Sequence, residues 1–400
     1  MRLTLTFILT TVVIDAMGIG LIMPVMPALM REIGGISLAD AAIWGGVLTT
    51  VFAVMQFLFG PIVGSLSDRF GRRPVLLGSL FVMALDYLVM ALAQTFWLLL
   101  IGRIVGGVTA ATQSTATAAI ADITPPNEKA ARFGLIGAAF GVGFVLGPLL
   151  GGILGEYGTR APFYAAAALA ALNMGLGYFV MPETVTDRTR REFTFARANP
   201  LGAFAQVGLN PELRRLLILF FLYQVAFFVY PAIWSYFTTE RFGWSESMIG
   251  LSLAAFGVSM AVVQGGLIRV ILRWLGDRGA LLYGLIFNVL AFAVMAFVTS
   301  GTLALMLTPL TALGAVVTPA LQGIMSRQTP DDSQGELQGV LASTSALATI
   351  LSPLLMTWVF AQFVHADAAV YLPGAPFLVS MGLSLACIVV LLLPLRLRAA

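Results

Sequence analysis

Apolar runs of about twenty residues, free of charge, recur along this chain and limit it to one class of fold. Hydrocarbon offers no water to bond backbone amides, so a run long enough to cross a bilayer, about 20 residues, must be helical or belong to a closed barrel. Residues 41–67, 104–121, 133–155, 161–182, 216–239, 247–268, 337–364 and 368–395 contain no Asp, Glu, Lys or Arg. Residues 279–326 continue the pattern for 48 positions and, with a reversal predicted at Ser300-Gly301, count as two crossings. Residues 3–30 and 74–102 complete the set if one internal acid each, Asp15 and Asp86, is tolerated. The sum is twelve helices. The runs are continuous and do not alternate apolar with polar, which excludes a transmembrane barrel. Composition agrees: 59% of residues are hydrophobic and 10% charged, where soluble domains average about 45–50% and about 25%. The first run is expected to be retained, not cleaved as a signal peptide, because it is long and carries an aspartate with no small-residue cleavage site.

Basic residues collect on the cytoplasmic side of membrane proteins. With the amino terminus inside, 18 of the 22 basic residues fall in inside segments, among them Arg69, Arg72, Arg73, Lys129, Arg132 and Arg327. Arg31, Arg160 and Arg241 fall outside, and Arg103 lies at or within the fourth run. Both termini are therefore expected in the cytoplasm. The net charge of +3 then reports topology, not nucleic-acid binding. A single cysteine, Cys387, and a single histidine, His365, exclude an intrachain disulfide and a His-based metal centre. No nucleophile–base pair and no phosphate-binding loop is present, and the GxGxxG-like pattern of the fifth run lies inside a helix. No enzyme activity and no cofactor is expected.

The longest polar stretch, residues 183–215, holds Pro200 and Pro211 and six arginines. It is expected to be a cytoplasmic linker with a short amphipathic surface helix, dividing the chain into bundles at 1–182 and 216–400. The halves echo one another. Pro27 pairs with Pro231, Gly147-Pro148-Leu149-Leu150 with Ser352-Pro353-Leu354-Leu355, and Asp68-Arg69-Phe70-Gly71 more loosely with Asp277-Arg278-Gly279. Three matches near one offset point to duplication: an all-α integral membrane protein of two pseudo-symmetric six-helix bundles around a central cavity, an architecture of transporters.

The local motifs sharpen this. Gly64-Ser65-Leu66-Ser67-Asp68-Arg69-Phe70-Gly71-Arg72-Arg73-Pro74 resembles the signature loop between spans two and three of the major facilitator superfamily, and Arg103 with Gly106-Gly107 resembles its span-four motif. Gly143, Gly147, Pro148, Gly151 and Gly152 fall in a stretch similar to the span-five motif of its drug–proton antiporters. The segment from Asp15 to Pro24, with Asp86-Tyr87, Arg241-Phe242-Gly243-Trp244 and Pro319-Ala320-Leu321-Gln322, is similar to the bacterial tetracycline efflux pumps over nearly all the chain. The resemblance implies a monomeric exporter in a bacterial inner membrane. Its small-molecule drug would travel as a divalent-metal chelate, in exchange for protons and without nucleic acid. An importer or exporter of a small metabolite, a sugar or an organic acid anchored by Arg103, is the alternative.

A charge at the bilayer centre costs about 2.5–3.5 kcal/mol on insertion scales, so Asp15, Asp86 and Arg103 each need a cavity, a partner or a proton. The two aspartates, near mid-depth, are candidate proton- or cation-handling groups; a structural hydrogen bond to a neighbouring helix is the plainer reading. Arg103 does not deprotonate and would either hold an aspartate ionised or lock two helices. In the signature loop, Gly64 and Gly71 allow a tight turn and close approach. Asp68 can accept hydrogen bonds at a neighbouring helix N-terminus and pair with an arginine. Arg69 and Arg72 serve either the gate or the topology, and Asp122 is placed to join the network. Gln56, Gln113, Gln224, Gln264, Asn288 and Gln322 are candidate cavity residues, each as well suited to interhelical bonding. Span seven is rich in aromatics, suited to a planar solute or to packing. Two positions depart from the resembled pumps: Met260 stands where many carry a histidine, and Asn288 where they carry an aspartate. Both family residues are implicated in proton coupling, so Asp15 and Asp86 remain as the membrane carboxylates, and either coupling has shifted wholly to the amino-terminal half or the substrate or coupling ion differs.

Overall fold

The computed structural model describes residues 2–110, 112–125, 128–186, 190, 211–330 and 333–393. Each apolar run holds helix. Eleven helical stretches are long and apolar enough to cross a bilayer. The longest, Glu246–Phe297, is interrupted at Gly276, whose φ of 63° and ψ of 178° are not helical. It supplies two crossings and brings the described residues to twelve. We number them span one (Leu3–Ile22), two (Leu38–Phe70), three (Arg72–Leu92), four (Phe96–Ile123), five (Ala131–Gly155), six (Ala161–Val180) and seven (Pro211–Phe242). Residues 246–275 and 277–297 are spans eight and nine. Ten is Gly301–Arg327, eleven Gln334–Gln362 and twelve Ala375–Leu392. A short helix, Met26–Gly34, follows span one. The expected linker helix falls on residues outside the described set.

Local chemistry sets where spans begin. The hydroxyls of Ser37, Thr95 and Ser300 accept hydrogen bonds from the amides of Asp40, Leu98 and Leu303 at 3.1, 3.4 and 3.3 Å. Each is an N-cap worth about 1 kcal/mol, and the Ser300 cap starts span ten at the predicted reversal. The turn between spans two and three is made at Gly71, φ 113°, and that between spans eight and nine at Gly276, φ 63°. Side chains disfavour both conformations. These glycines stand 205 residues apart, the offset of Pro148 and Pro353. The sequence pairing of Asp68 with Asp277 is thereby corrected: the backbone turns align Gly71 with Gly276 and Arg72 with Asp277.

The chain forms two compact units, Met1–Pro200 with Gly243–Gly257, and Leu201–Phe242 with Val258–Ala400. In the first, span one packs on span five and span three on span six; in the second, span seven packs on span eleven and span nine on span twelve. The pairing repeats with the duplication. Buried Phe7, Ile8, Leu76, Leu80 and Ile120 centre one core. Leu216, Phe220, Leu281, Leu285, Leu321 and Leu341 belong to the other. Cys387 lies in that core, with Sγ 3.6 Å from the Leu219 carbonyl oxygen. Large apolar side chains also cover the outside: Phe179 is 85% exposed and Trp274 82%. Lipid solvates such a surface and water does not.

Candidate functional site

The buried charges of the first unit meet. Asp86 on span three and Arg103 on span four are 4% and 9% exposed, and Arg103 Nη2 donates to Asp86 Oδ2. Helical spacing explains how the carboxylate fits. Gly102 and Gly106 are one turn apart on span four, and a Cβ at either would lie 2.8 Å or 2.7 Å from an Asp86 oxygen. The two glycines form a cradle that no larger residue could offer. The Arg103 guanidinium also lies 5.0 Å from the centroid of the Phe52 ring on span two, a cation–π contact. Among the described residues Asp86 Oδ1 and Arg103 Nε are buried without a hydrogen-bond partner. A buried pair so incompletely bonded is weak as a stabiliser. Gly102 and Phe52 went unnoticed in the sequence; the i, i+4 glycines around an arginine were the available signal.

Asp15 is half-buried on span one. Among the described residues it makes no hydrogen bond or ion pair. One turn on, Gly18 faces Tyr87 of span three, the neighbour of Asp86 in the chain.

The signature loop builds a second cluster. Arg72 pairs with Asp68 at 2.5 Å and with Asp122 at 3.1 Å, and donates to the Ser67 hydroxyl at 2.6 Å. Asp122 also accepts from the Thr184 hydroxyl at 3.2 Å. The acceptor at the start of span three is Glu183, not Asp68. Its carboxylate takes the amides of Arg72 at 2.8 Å and Arg73 at 3.3 Å, and those of Thr184 and Val185 at 2.9 Å each. Glu183 fills the space beside Gly71. The helix N-terminus is the favourable place for an anion, and Asp68, in the last turn of span two, is already held by Arg72. The sequence reading took Glu183 as the first linker residue, because its partners at the start of span three are 111 and 110 positions away. Arg69 is exposed and stacks on Phe70. Around Gly64, nothing described lies within 4 Å of where a Cβ would stand.

Span five runs unbroken through Pro148. Gly143, Gly147 and Gly151 share one face. A Cβ at Gly147 would lie 2.6 Å from the Met17 carbonyl oxygen and 2.9 Å from Gly20 Cα, and Gly143 and Gly151 abut the Val13 and Leu21 carbonyls. Three glycines at four-residue spacing thus let the backbones of spans one and five touch. Gly152 faces Ser247, with a Cβ there falling 3.0 Å from Ser247 Cα, and the Pro148 carbonyl abuts Gly250.

The six neutral candidates do not form one set. Gln56 is exposed and donates to the Ala110 carbonyl at 3.3 Å, beside the break in span four. Gln113 is exposed, and Gln322 half-buried. Gln224 donates to the Ser345 hydroxyl at 3.2 Å and accepts from Thr318 at 3.4 Å, a bridge across spans seven, ten and eleven. Gln264 is exposed within a π-helical turn, Val263–Leu267, and donates to Met260 Sδ at 3.3 Å. Asn288 is fully buried, and its Nδ2 donates to the carbonyls of Gly284 and Gly314 at 2.8 and 2.9 Å. It ties span nine to the 3₁₀ break Ala312–Val316 in span ten, so it is a helix tie rather than a cavity residue. Two carbonyls demand a donor there, which an ionised carboxylate is not. The aromatics of span seven are mostly core. Tyr230, Trp234 and Phe237 are buried and meet Phe377 of span twelve in tilted or edge-on contacts, ring centroids 5.7, 6.5 and 5.1 Å apart.

Comparison with known proteins places this geometry. The sequence model of the Major Facilitator Superfamily matches residues 8–315 and 216–399. The chain is 42% identical to the class C tetracycline resistance protein of Escherichia coli, over 96% of this chain and 95% of that protein. It is 28% identical to multidrug resistance protein 1 of Bacillus subtilis (strain 168), covering 88% and 89%. Among solved structures it is similar to the human organic anion transporter MFSD10 (TETRAN), with a TM-score of 0.70, 28% identity, and coverage of 98% and 99%. The nucleoside transporter NupG, at 11% identity with a TM-score of 0.76 over 98% and 100%, shares the fold.

Proposed function

Since the chain belongs to the Major Facilitator Superfamily, we propose that it is a proton-driven exporter that moves tetracycline-like and other amphipathic drugs out of a bacterial cell by alternating access. It would sit in the inner membrane as a monomer with both termini in the cytoplasm. The observation that carries this reading is the arrangement of charge in the first unit. Asp86 is committed to Arg103 in a glycine cradle, while Asp15 has no hydrogen bond or ion pair among the described residues. In this scheme Asp15 is the group that takes a proton from the outer side and releases it inside. Asp86 remains the anion of a buried pair, and Arg103 fixes its position.

A tetracycline bound as its divalent-metal chelate carries positive charge, and a deprotonated Asp15 attracts it. Protonation removes that attraction and sends the carrier back without drug. Asp68, Arg72 and Asp122 hold the signature loop during the stroke, and Gln56, Gln113 and Gln322 offer hydrogen bonds to the drug. The resemblance to tetracycline resistance proteins supports the substrate class. An organic acid anchored by Arg103 is less favoured, because the guanidinium is already shared between Asp86 and Phe52.

The test is drug susceptibility of cells expressing the chain. Resistance to tetracycline should rise on expression, vanish in Asp15→Asn, and fall at least about tenfold in Asp86→Asn, a loss of about 1.4 kcal/mol or more in the coupled step. Resistance that survives both substitutions rejects the coupling scheme.

A further inference from the structure

We infer that Tyr87 is a positioning residue for Asp15, its phenol seated on Gly18 so that it donates a hydrogen bond to the Asp15 carboxylate once the proton has left. The inference rests on Asp15 being the proton carrier. Tyr87 is 5% exposed, and its ring is packed among Met17, Leu21, Ala166, Ala167 and Ala170. A Cβ at Gly18 would lie 2.5 Å from the phenol oxygen and 3.0 Å from Cζ, so the absence of a side chain there is what admits the hydroxyl. Asp15 and Gly18 are i, i+3 neighbours, with side-chain positions about 5–6 Å apart on one helix face. The phenol therefore stands over the turn that carries the carboxylate. Tyr87 also follows Asp86 in the chain, so adjacent residues of span three meet the turn that carries Asp15 and the Arg103 guanidinium.

No other ionisable group competes for the place among the described residues packed on span one. On span four, Asp122 is bound to Arg72 and Thr184. Arg132 in the first turn of the span-five helix pairs with Glu128, and Lys129 starts that helix. On span six, Tyr164 and Tyr178 are exposed. Glu246 and Glu156 lie beyond the far end of span five.

A hydrogen bond to the charged form stabilises it, so removing the hydroxyl should favour the protonated acid. The experiment is tetracycline–Mg²⁺ uptake into everted membrane vesicles, measured against pH for the native chain, Tyr87→Phe, Gly18→Ala, the double variant and Asp15→Asn. Tyr87→Phe keeps the ring on Gly18, and the midpoint of its pH profile should move to higher pH by about one unit. Gly18→Ala displaces the hydroxyl and should move the midpoint the same way, with no further shift when added to Tyr87→Phe. If Tyr87→Phe does not accumulate in the membrane, Gly18→Ala alone decides. Native midpoints in both variants, with proton-driven uptake lost in Asp15→Asn, overturn the role of Tyr87 and leave the exporter reading standing. Proton-driven uptake retained in Asp15→Asn overturns both the role of Tyr87 and the assignment of Asp15 as the proton carrier.

Discussion

The two units repeat one frame and fill it with different chemistry. On the 205-residue offset Asp15 corresponds to Phe220, Asp86 to Ala291 and Arg103 to Thr308. The first unit buries an ion pair. Among the described residues, every buried polar side chain of the second is neutral, and Thr308 simply returns its hydroxyl to the Ala304 carbonyl at 2.7 Å. The fold therefore does not need the charges. At the loops the chemistry is conserved but its sign is reversed. Arg72 of the first turn pairs with Asp122 at the end of span four; 205 residues on, Asp277 of the second turn pairs with Arg327 at the end of span ten. Attraction between a loop and a helix end is kept, whichever partner carries the positive charge.

The largest contrast should come from the interior. Arg103→Ala leaves Asp86 buried and alone, at a cost of about 3–5 kcal/mol, while Thr308→Ala should cost about 1 kcal/mol. Thermal unfolding in detergent compares them, and equal losses would contradict the assignment of a buried ion pair to one unit only. The span contacts come next. Gly147 and Ser352 are equivalent, yet Gly147 abuts Gly20, whereas Ser352 donates to the Val225 carbonyl at 2.9 Å. Gly147→Ala should overpack the one–five contact by about 1–3 kcal/mol and abolish transport. Ser352→Ala should lose only its hydrogen bond, about 1 kcal/mol, and remain active.

The loop pairs sharpen the sign reversal. Exchanging Asp277→Arg with Arg327→Asp should restore what either single change removes, no more than about 1 kcal/mol for so exposed a pair. The same exchange at Arg72 and Asp122 should fail, because Asp68 and Ser67 also bind Arg72.

The smallest effects concern the ties beyond the spans. Glu32 accepts from the Thr159 hydroxyl and from Arg160 Nε at 3.0 Å; the hydroxyl bond first, then Arg160, hold its carboxyl below the usual range. Tyr371 donates to Glu240 at 2.8 Å, and partial burial together with that carboxylate pushes the phenol up to about 12. A lowered acid contributes stability above its unfolded pKa, about 4.3, and loses it as pH falls through the folded value. A raised phenol contributes below about 10 and loses it as pH climbs toward 12. Thr159→Val should therefore lower stability above about pH 4 and flatten only the acid limb of a pH–stability curve, and Tyr371→Phe should flatten only the alkaline limb.

Much of this was legible in the chain. Crossing number follows from uninterrupted apolar length, and the reversal at Ser300-Gly301 from a charge-free run of 48 residues that is too long for one crossing. The candidate site was half legible. Asp15, Asp86 and Arg103 declare themselves by their cost in lipid. Glu183, Phe52 and the Gly18–Tyr87 contact do not, because each acts on a helix far away in sequence and only packing brings the partners together. The loop correspondence was misaligned for a different reason. Matching Asp to Asp favours the wrong register when the duplicated pair has exchanged its signs, and only the positive φ at Gly71 and Gly276 reveals the true one. Asn288 looked like a binding residue because an amide serves a ligand and a carbonyl equally well.

Cys387, buried against the Leu219 carbonyl, is the only thiol in the sequence. A bulky maleimide or spin label has no route to it in the folded protein. The native chain can therefore serve as its own unreactive background, and a cysteine placed on each loop would report opening and closing without any prior substitution.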